Sequence, residues 1–126
     1  MQTVSTSNEP ILVLGGTGKT GRRIVERLRS RGLPVRVGSR AATPPFDWAR
    51  EDTWDDALDG VSSIYISYAP DLAIPGAKDA IAALVWRAKL HGAKRLVLLS
   101  GRGEQEAQAC EKIVQDSGLE WTIVRA

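Results

Sequence analysis

The sequence predicts an α/β domain: a doubly wound, mostly parallel sheet of six strands in the order 3-2-1-4-5-6, with helices on both faces. Three observations predict it. Ile11 to Leu14 is an unbroken apolar run that stops at a glycine, as a strand covered on both faces does. Gly15, Gly16, Gly18 and Gly21 then fall within seven positions and lead directly into a helical pattern. A second apolar run at Val35 to Val37 completes a strand–helix–strand unit of roughly thirty residues.

The glycine turn carries the chemistry. Gly16, Gly18 and Gly21 satisfy G-x-G-x-x-G, and Gly15, Gly18 and Gly21 satisfy a G-x-x-G-x-x-G variant. Both patterns serve a tight turn, close approach of backbone to a pyrophosphate, and close packing of helix on strand. Gly15, Gly16, Thr17, Gly18, Lys19, Thr20 and Gly21 are therefore the expected dinucleotide cradle, with the amides of the next helix facing an anion. That helix is expected from about Lys19 to Arg31, with Ile24, Val25 and Leu28 inward and the arginines solvated. Gly-Lys-Thr at 18–20 also invites a P-loop reading, which fails because the required first glycine falls on Val13.

The chain has 126 residues, 43% hydrophobic and 25% charged, which suits one soluble domain with its own core. Residues 1–9 read as a flexible leading segment and 10–126 as the domain. Seventeen basic and 15 acidic residues leave a formal charge of +2, too balanced to argue for direct nucleic-acid binding. Cys110 is the only cysteine, so no internal disulfide can form, and no apolar run approaches the roughly 18 residues of a membrane span. Met1 to Pro10 lacks a signal-peptide pattern, which makes the cytoplasm the expected location. No metal-ligand spacing occurs.

Gly32, Leu33 and Pro34 close the first helix, and Val35 to Ser39 form the second strand. About twenty residues past the glycines, where an acid holds the ribose 2′-hydroxyl of NAD, stand Ser39 and Arg40, and no acid occurs between Glu26 and Asp47. An arginine forks onto a 2′-phosphate and a serine donates to it, so NADP(H) is the expected cofactor. The alternative is a surface arginine at a strand end. Ala41 to Pro45 is too short and proline-rich for a crossover helix. Phe46, Asp47 and Trp48 are expected to end a short third strand at the adenine side. Asp47 either accepts from the adenine amino group or caps the helical segment 48–58, and Trp48 is either a wall of the site or rim packing.

Ser63 to Ser67 is the fourth strand, so Ser67, Tyr68 and Ala69 lie at its carboxyl end, where ligands of open α/β sheets bind. Tyr68 is either a wall of the nicotinamide end or a loop anchor. Ile74, Ala77, Ile81, Leu84, Val85 and Ala88 mark a long helix ending near His91, whose position favours a helix-cap role over catalysis. Lys94 to Ser100 is the fifth strand; Ser100 and Gly101 at its carboxyl end face the same crevice. Glu104 to Ser117 is helical, with Cys110 on its inner face as core rather than as a reactive thiol. Trp121 to Val124 is the sixth strand.

The run ILVLGGTGKTG, Arg40, FDW at 46–48, LLSGRG at 98–103 and the ending EKIVQDSGLEWTIVRA resemble the NmrA-like, atypical short-chain dehydrogenase/reductase family from Pro10 onward. The resemblance implies an NADP(H)-binding Rossmann domain. It implies an oxidoreductase, reducing quinones or enone-like compounds in its full-length form, or alternatively a non-catalytic redox sensor acting through a protein partner. Family members carry a proton-donating tyrosine and a lysine four residues on; aligned through Glu111, those positions hold Gly103 and Ala107. They also continue into a substrate lobe past the position that matches Ala126. The expectations are that this chain alone is inactive and that its last strand, less covered, favours self-association. Tyr68 as proton donor and Ser100 as orienting group are the expected catalytic residues.

Overall fold

A computed structural model describes residues 9–15, 19–68, 76–100 and 105–125, with only the backbone at Lys19 and Thr20. The described strands are β1 (Ile11–Leu14), β2 (Val35–Gly38), β3 (Ser63–Ile66), β4 (Arg95–Ser100) and β5 (Glu120–Arg125). The described helices are α1 (Lys19–Ser30), α2 (Trp54–Leu58), α3 (Ala77–Leu90) and α4 (Gln105–Gln115), with a 3-10 turn at Glu51–Thr53 leading into α2. All strand pairs are parallel, and the sheet runs β2-β1-β3-β4-β5.

Alternation along each strand divides the core between two faces. Leu12, Leu14, Ile64, Ile66, Leu96 and Leu98 meet Trp54, Leu58, Ile81, Leu84, Cys110 and Val114 from α2, α3 and α4. Their neighbours Val13 and Tyr65 face the other way and pack with Val25, Ile24 and Leu28 of α1. Short loops follow from the need to return to the start of each strand. Gly32, Gly92 and Gly118 close α1, α3 and α4 with φ of 75°, 84° and 84°, a left-handed conformation that glycine adopts without a Cβ clash. Arg36, half-buried on β2, donates to the carbonyls of Ala57 and Asp59 at 2.8 and 2.7 Å, satisfying the carboxyl end of α2 and tying it to the sheet edge.

One expected element is absent. Phe46 to Trp48 does not join the sheet, so the described sheet has five strands where six were expected; the other five keep their expected neighbours. Asp47 makes only an isolated antiparallel bridge with Arg50. The cause is local. Pro44 and Pro45 have no amide hydrogen to give a ladder. Phe46 and Trp48 pack into an aromatic cluster with Trp54 instead, at centroid distances of 5.1 Å to each other and 5.6 and 5.7 Å to Trp54. The expected helix over 48–58 shortens to the 3-10 turn and α2.

The interior leucines of β4 should carry much of the stability. Leu98, fully buried between β3 and β5, contacts the larger core cluster. Leu98→Ala should lower the unfolding free energy by about 2–5 kcal/mol, the range for truncating a buried leucine, read from equilibrium urea denaturation.

Candidate functional site

The parallel register brings three strand ends to one level: Leu14 pairs Gly38, and Val13 pairs Tyr65. The chain crosses from β2, on one side of β1, to β3 on the other, so a crevice opens at this switch point. A cavity of about 560 Å³ lies there, lined by Gly15, Gly38, Ser39, Arg40, Phe46, Asp47, Trp48, Ala49, Ser67 and Tyr68. Seven of those ten, Gly15, Ser39, Arg40, Asp47, Trp48, Ser67 and Tyr68, are residues the sequence singled out.

Two glycines shape the floor. Gly15 has φ of 73°, and a Cβ on it would lie 3.3 Å from Ser67 Cβ, so β1 leaves the sheet hard against the end of β3. Gly38 leaves no room for a side chain either, since a Cβ there would meet Leu14 Cδ2 at 2.5 Å. The amide of Gly15 donates to the Gly38 carbonyl at 3.2 Å, linking the two positions directly.

The far wall is the loop between β2 and α2. The Ser39 carbonyl accepts from Phe46 and Ala42 amides at 2.8 and 3.2 Å, which folds 39–46 back on itself. Asp47 closes its own loop: Oδ1 accepts from the Ala49 amide at 2.9 Å, and its carbonyl accepts from Trp54 Nε1 at 2.8 Å. The 3-10 turn that follows has Arg50 as its N-cap without a side-chain bond, so Asp47 secures the loop rather than the helix. Trp48 is both wall and packing. It lines the cavity and meets the Tyr68 ring at 4.8 Å. Arg40 is exposed at the rim, and among the described residues it has no ion-pair partner.

Ser100 is not among the described walls of this cavity. It ends β4, is buried, and its hydroxyl donates to Glu111 Oε2 at 2.6 Å. Glu111 in turn accepts from Arg125 at 2.7 and 3.2 Å, and Arg125 first, then Ser100, hold its carboxyl below the ordinary value. Glu111 was not singled out as a functional residue. A lone acid on an apolar helix face was the available signal. Of the cavity walls, Gly38, Phe46 and Ala49 were also missed, although a glycine ending a strand marks a close backbone approach.

Cys110 is core, its thiol pushed up to about 11 chiefly by burial. His91 caps α3 and meets Asp55 at 3.0 Å, away from the cavity. Ala107, at the family's lysine position, is buried against the core. Gly21 is buried in α1, and Lys19 and Thr20 open that helix. Gly16, Thr17, Gly18, Ala69, Gly101 and Gly103 lie outside the described residues. Among those described, no helix is long and apolar enough to cross a membrane, and no acid, histidine or cysteine cluster could hold a metal ion.

A protein-family model described as NAD(P)H-binding matches residues 15–126. The chain is similar to a festuclavine dehydrogenase of Aspergillus fumigatus, 36% identical over 107 residues, covering 71% of this chain and 35% of that protein. It is also similar to prestalk A differentiation protein A of Dictyostelium discoideum, 31% identical, covering 99% of this chain and 47% of that one. It thus spans a third to a half of these relatives. In fold it is similar to an NADPH-dependent quinone oxidoreductase of Escherichia coli solved with NADPH, with a TM-score of 0.75, 22% identity, and coverage of 91% of this chain and 48% of that one.

The Glu111 carboxylate makes acid stability a test of the Ser100–Glu111–Arg125 cluster. Its folded pKa is depressed, so its contribution is complete above the unfolded value, 4.5, and is lost as pH falls through the folded one. Urea midpoints measured at about pH 6 and about pH 3 should therefore differ less for Glu111→Gln than for the native chain.

Proposed function

The chain belongs to the NAD(P)H-binding family, and on that premise we propose that it is the NADP(H)-binding domain of an oxidoreductase of the NmrA-like kind. One observation carries the cofactor reading: Ser39 and Arg40, whose guanidinium has no ion-pair partner among the described residues, stand at the end of β2 on the rim of the switch-point cavity. The residues present fit a dinucleotide. Gly15 leaves β1 without a side chain, which lets a polar ligand approach the backbone, and Gly38 makes room for Leu14 and Leu12 beneath it. The turn from Gly15 through Thr20 to Gly21 would hold the pyrophosphate against the start of α1. Trp48 would wall the adenosine half, with Asp47 fixing the loop that carries it, and Tyr68, in ring contact with Trp48, would stand toward the nicotinamide end. Ser67 and Ala69 would border the next ribose, and Ser100 and Gly101 the nicotinamide end.

The bound dinucleotide supplies hydride; the protein's part is to hold and orient it and to furnish a proton. Tyr68 is the candidate donor. The Ser100 hydroxyl is already committed to Glu111, so its part is to orient. The second reading is a sensor that binds NADP(H) without turnover. Its support is that Ala107, core-packed, and Gly103 occupy the resembled family's lysine and tyrosine positions, and neither side chain moves a proton. Quinones or enones are the substrates proposed for the whole protein, and the cytoplasm its location.

Calorimetric titration tests the cofactor assignment. NADPH should bind more tightly than NADH, and Arg40→Ala should weaken NADPH by about 1.5–3 kcal/mol, the range for a hydrogen bond to a charged group, while leaving NADH nearly unchanged. Equal losses for both would place Arg40 on a shared part of the ligand. The choice between enzyme and sensor is read from NADPH absorbance in the presence of several quinones and enones. The expected result for this chain alone is no enzymatic turnover; turnover that collapses in Tyr68→Phe would instead make Tyr68 the acid.

A further inference from the structure

We propose that Arg87 of α3 is a positioning residue for the cavity: it fixes the aromatic wall from behind, through Trp54, and so sets the affinity for a bound dinucleotide. Arg87 itself is not among the described walls. The inference rests on the reading of the cavity as an NADP(H) site with Trp48 against the adenosine half.

The wall is mounted in two tiers. Phe46, Asp47 and Trp48 are successive walls of the cavity, and all three are held from Thr53 and Trp54. The buried Trp54 ring stacks on Phe46 with planes 13° apart, meets Trp48 edge-on, and donates from Nε1 to the Asp47 carbonyl. The Thr53 hydroxyl accepts from the Asp47 amide at 3.0 Å. Whatever holds Trp54 therefore holds the wall.

The second tier is α3. Glu51 opens the 3-10 turn and Trp54 and Asp55 open α2, and one guanidinium reaches all three. Arg87 donates to Asp55 Oδ2 at 3.0 Å and to Glu51 Oε1 at 3.3 Å, and its Cζ lies over the Trp54 ring, 5.8 Å from the centroid. One turn further on, His91 Nε2 meets the other Asp55 oxygen at 3.0 Å. The Asp55 carboxyl is held below its ordinary value chiefly by that His91 bond, with Arg87 adding to it. A lone exposed ion pair contributes little, but the Arg87 side chain is only 28% exposed and its third contact is a ring that carries wall residues. Hydrophobic packing of Trp54 is non-directional. The planar fork supplies the direction, which the point charge of a lysine does not match.

Calorimetric titration of the full chain with NADPH tests this. Arg87→Met, which keeps an apolar stem, should weaken binding about three- to tenfold, the scale of a partly screened ion pair together with a cation–π contact. Asp55→Asn, which leaves α3 untouched, should weaken it in the same direction and by less. On a Trp48→Ala background Arg87→Met should cost little further, because the residue through which Arg87 acts is already gone. Circular dichroism checks each fold, and should Arg87→Met not fold, Asp55→Asn carries the same comparison on the Trp48→Ala background. Native affinity in both single variants would overturn the proposal. So would additive losses in the double variant, which would make Arg87 a general stabiliser rather than a support of the wall. A native chain that binds no NADPH would overturn the cavity reading, and this inference with it, before any variant is compared.

Discussion

The close approach of β1 to β3 at their carboxyl ends is the constraint on which the rest of the molecule depends. Gly15 turns out of the sheet in a left-handed conformation 3.3 Å, measured from its absent Cβ, from Ser67. A side chain there would be strained by φ and crowded by the neighbouring strand together. Gly38 repeats the crowding, without the left-handed φ, on the other flank, against Leu14. Because the strands are parallel and in register, these approaches align, and one cavity can draw walls from three strand ends. Burial of Leu12, Leu14 and Ile64 beneath that floor fixes the register, since a slip by one residue would turn those side chains to the opposite face.

Most of this was legible in the sequence because the signals were short-range. An apolar run stopping at glycine, a helical repeat and a returning apolar run state a strand–helix–strand unit without reference to distant residues. Ser39 and Arg40 were legible for the same reason, as their place follows from counting along the strand. The segment 46–48 was not. Its pattern, an acid between two aromatics, suits a strand, but the aromatics are drawn out of the sheet by Trp54, and the acid closes its own loop on Ala49. That outcome depends on a side chain six residues or more away, which periodicity does not register. Glu111 was opaque in a different way: its partners Ser100 and Arg125 are 11 and 14 residues distant and meet it only once β4 and β5 pair.

The Glu111 cluster gives the edge of the sheet a second kind of attachment. β5 joins β4 through backbone pairing from Glu120 to Arg125, yet most of its side chains are exposed. Arg95 and Glu120 add a surface pair at the start of the strand, of little weight in water. Arg125 reaches a carboxylate that is itself buried, where the same contact is less screened. Breaking it would leave a buried acid short of a donor, so the terminal strand is held by what its loss would strand inside the protein as much as by its own contacts.

The aromatic cluster at the cavity has an optical consequence. The four tryptophans fall into two environments: Trp48 and Trp54 touch each other beside the cavity, one half-buried and one nearly sealed, whereas Trp86 and Trp121 stand largely in water on outer surfaces. Indole emission shifts to longer wavelength as its surroundings become polar. The blue edge of the protein's spectrum therefore belongs to the cavity wall and the red edge to the exterior, and a quencher dissolved in the solvent would strip the second while sparing much of the first. A single unlabelled sample thus reports separately on the inside of the crevice and on the outside of the fold.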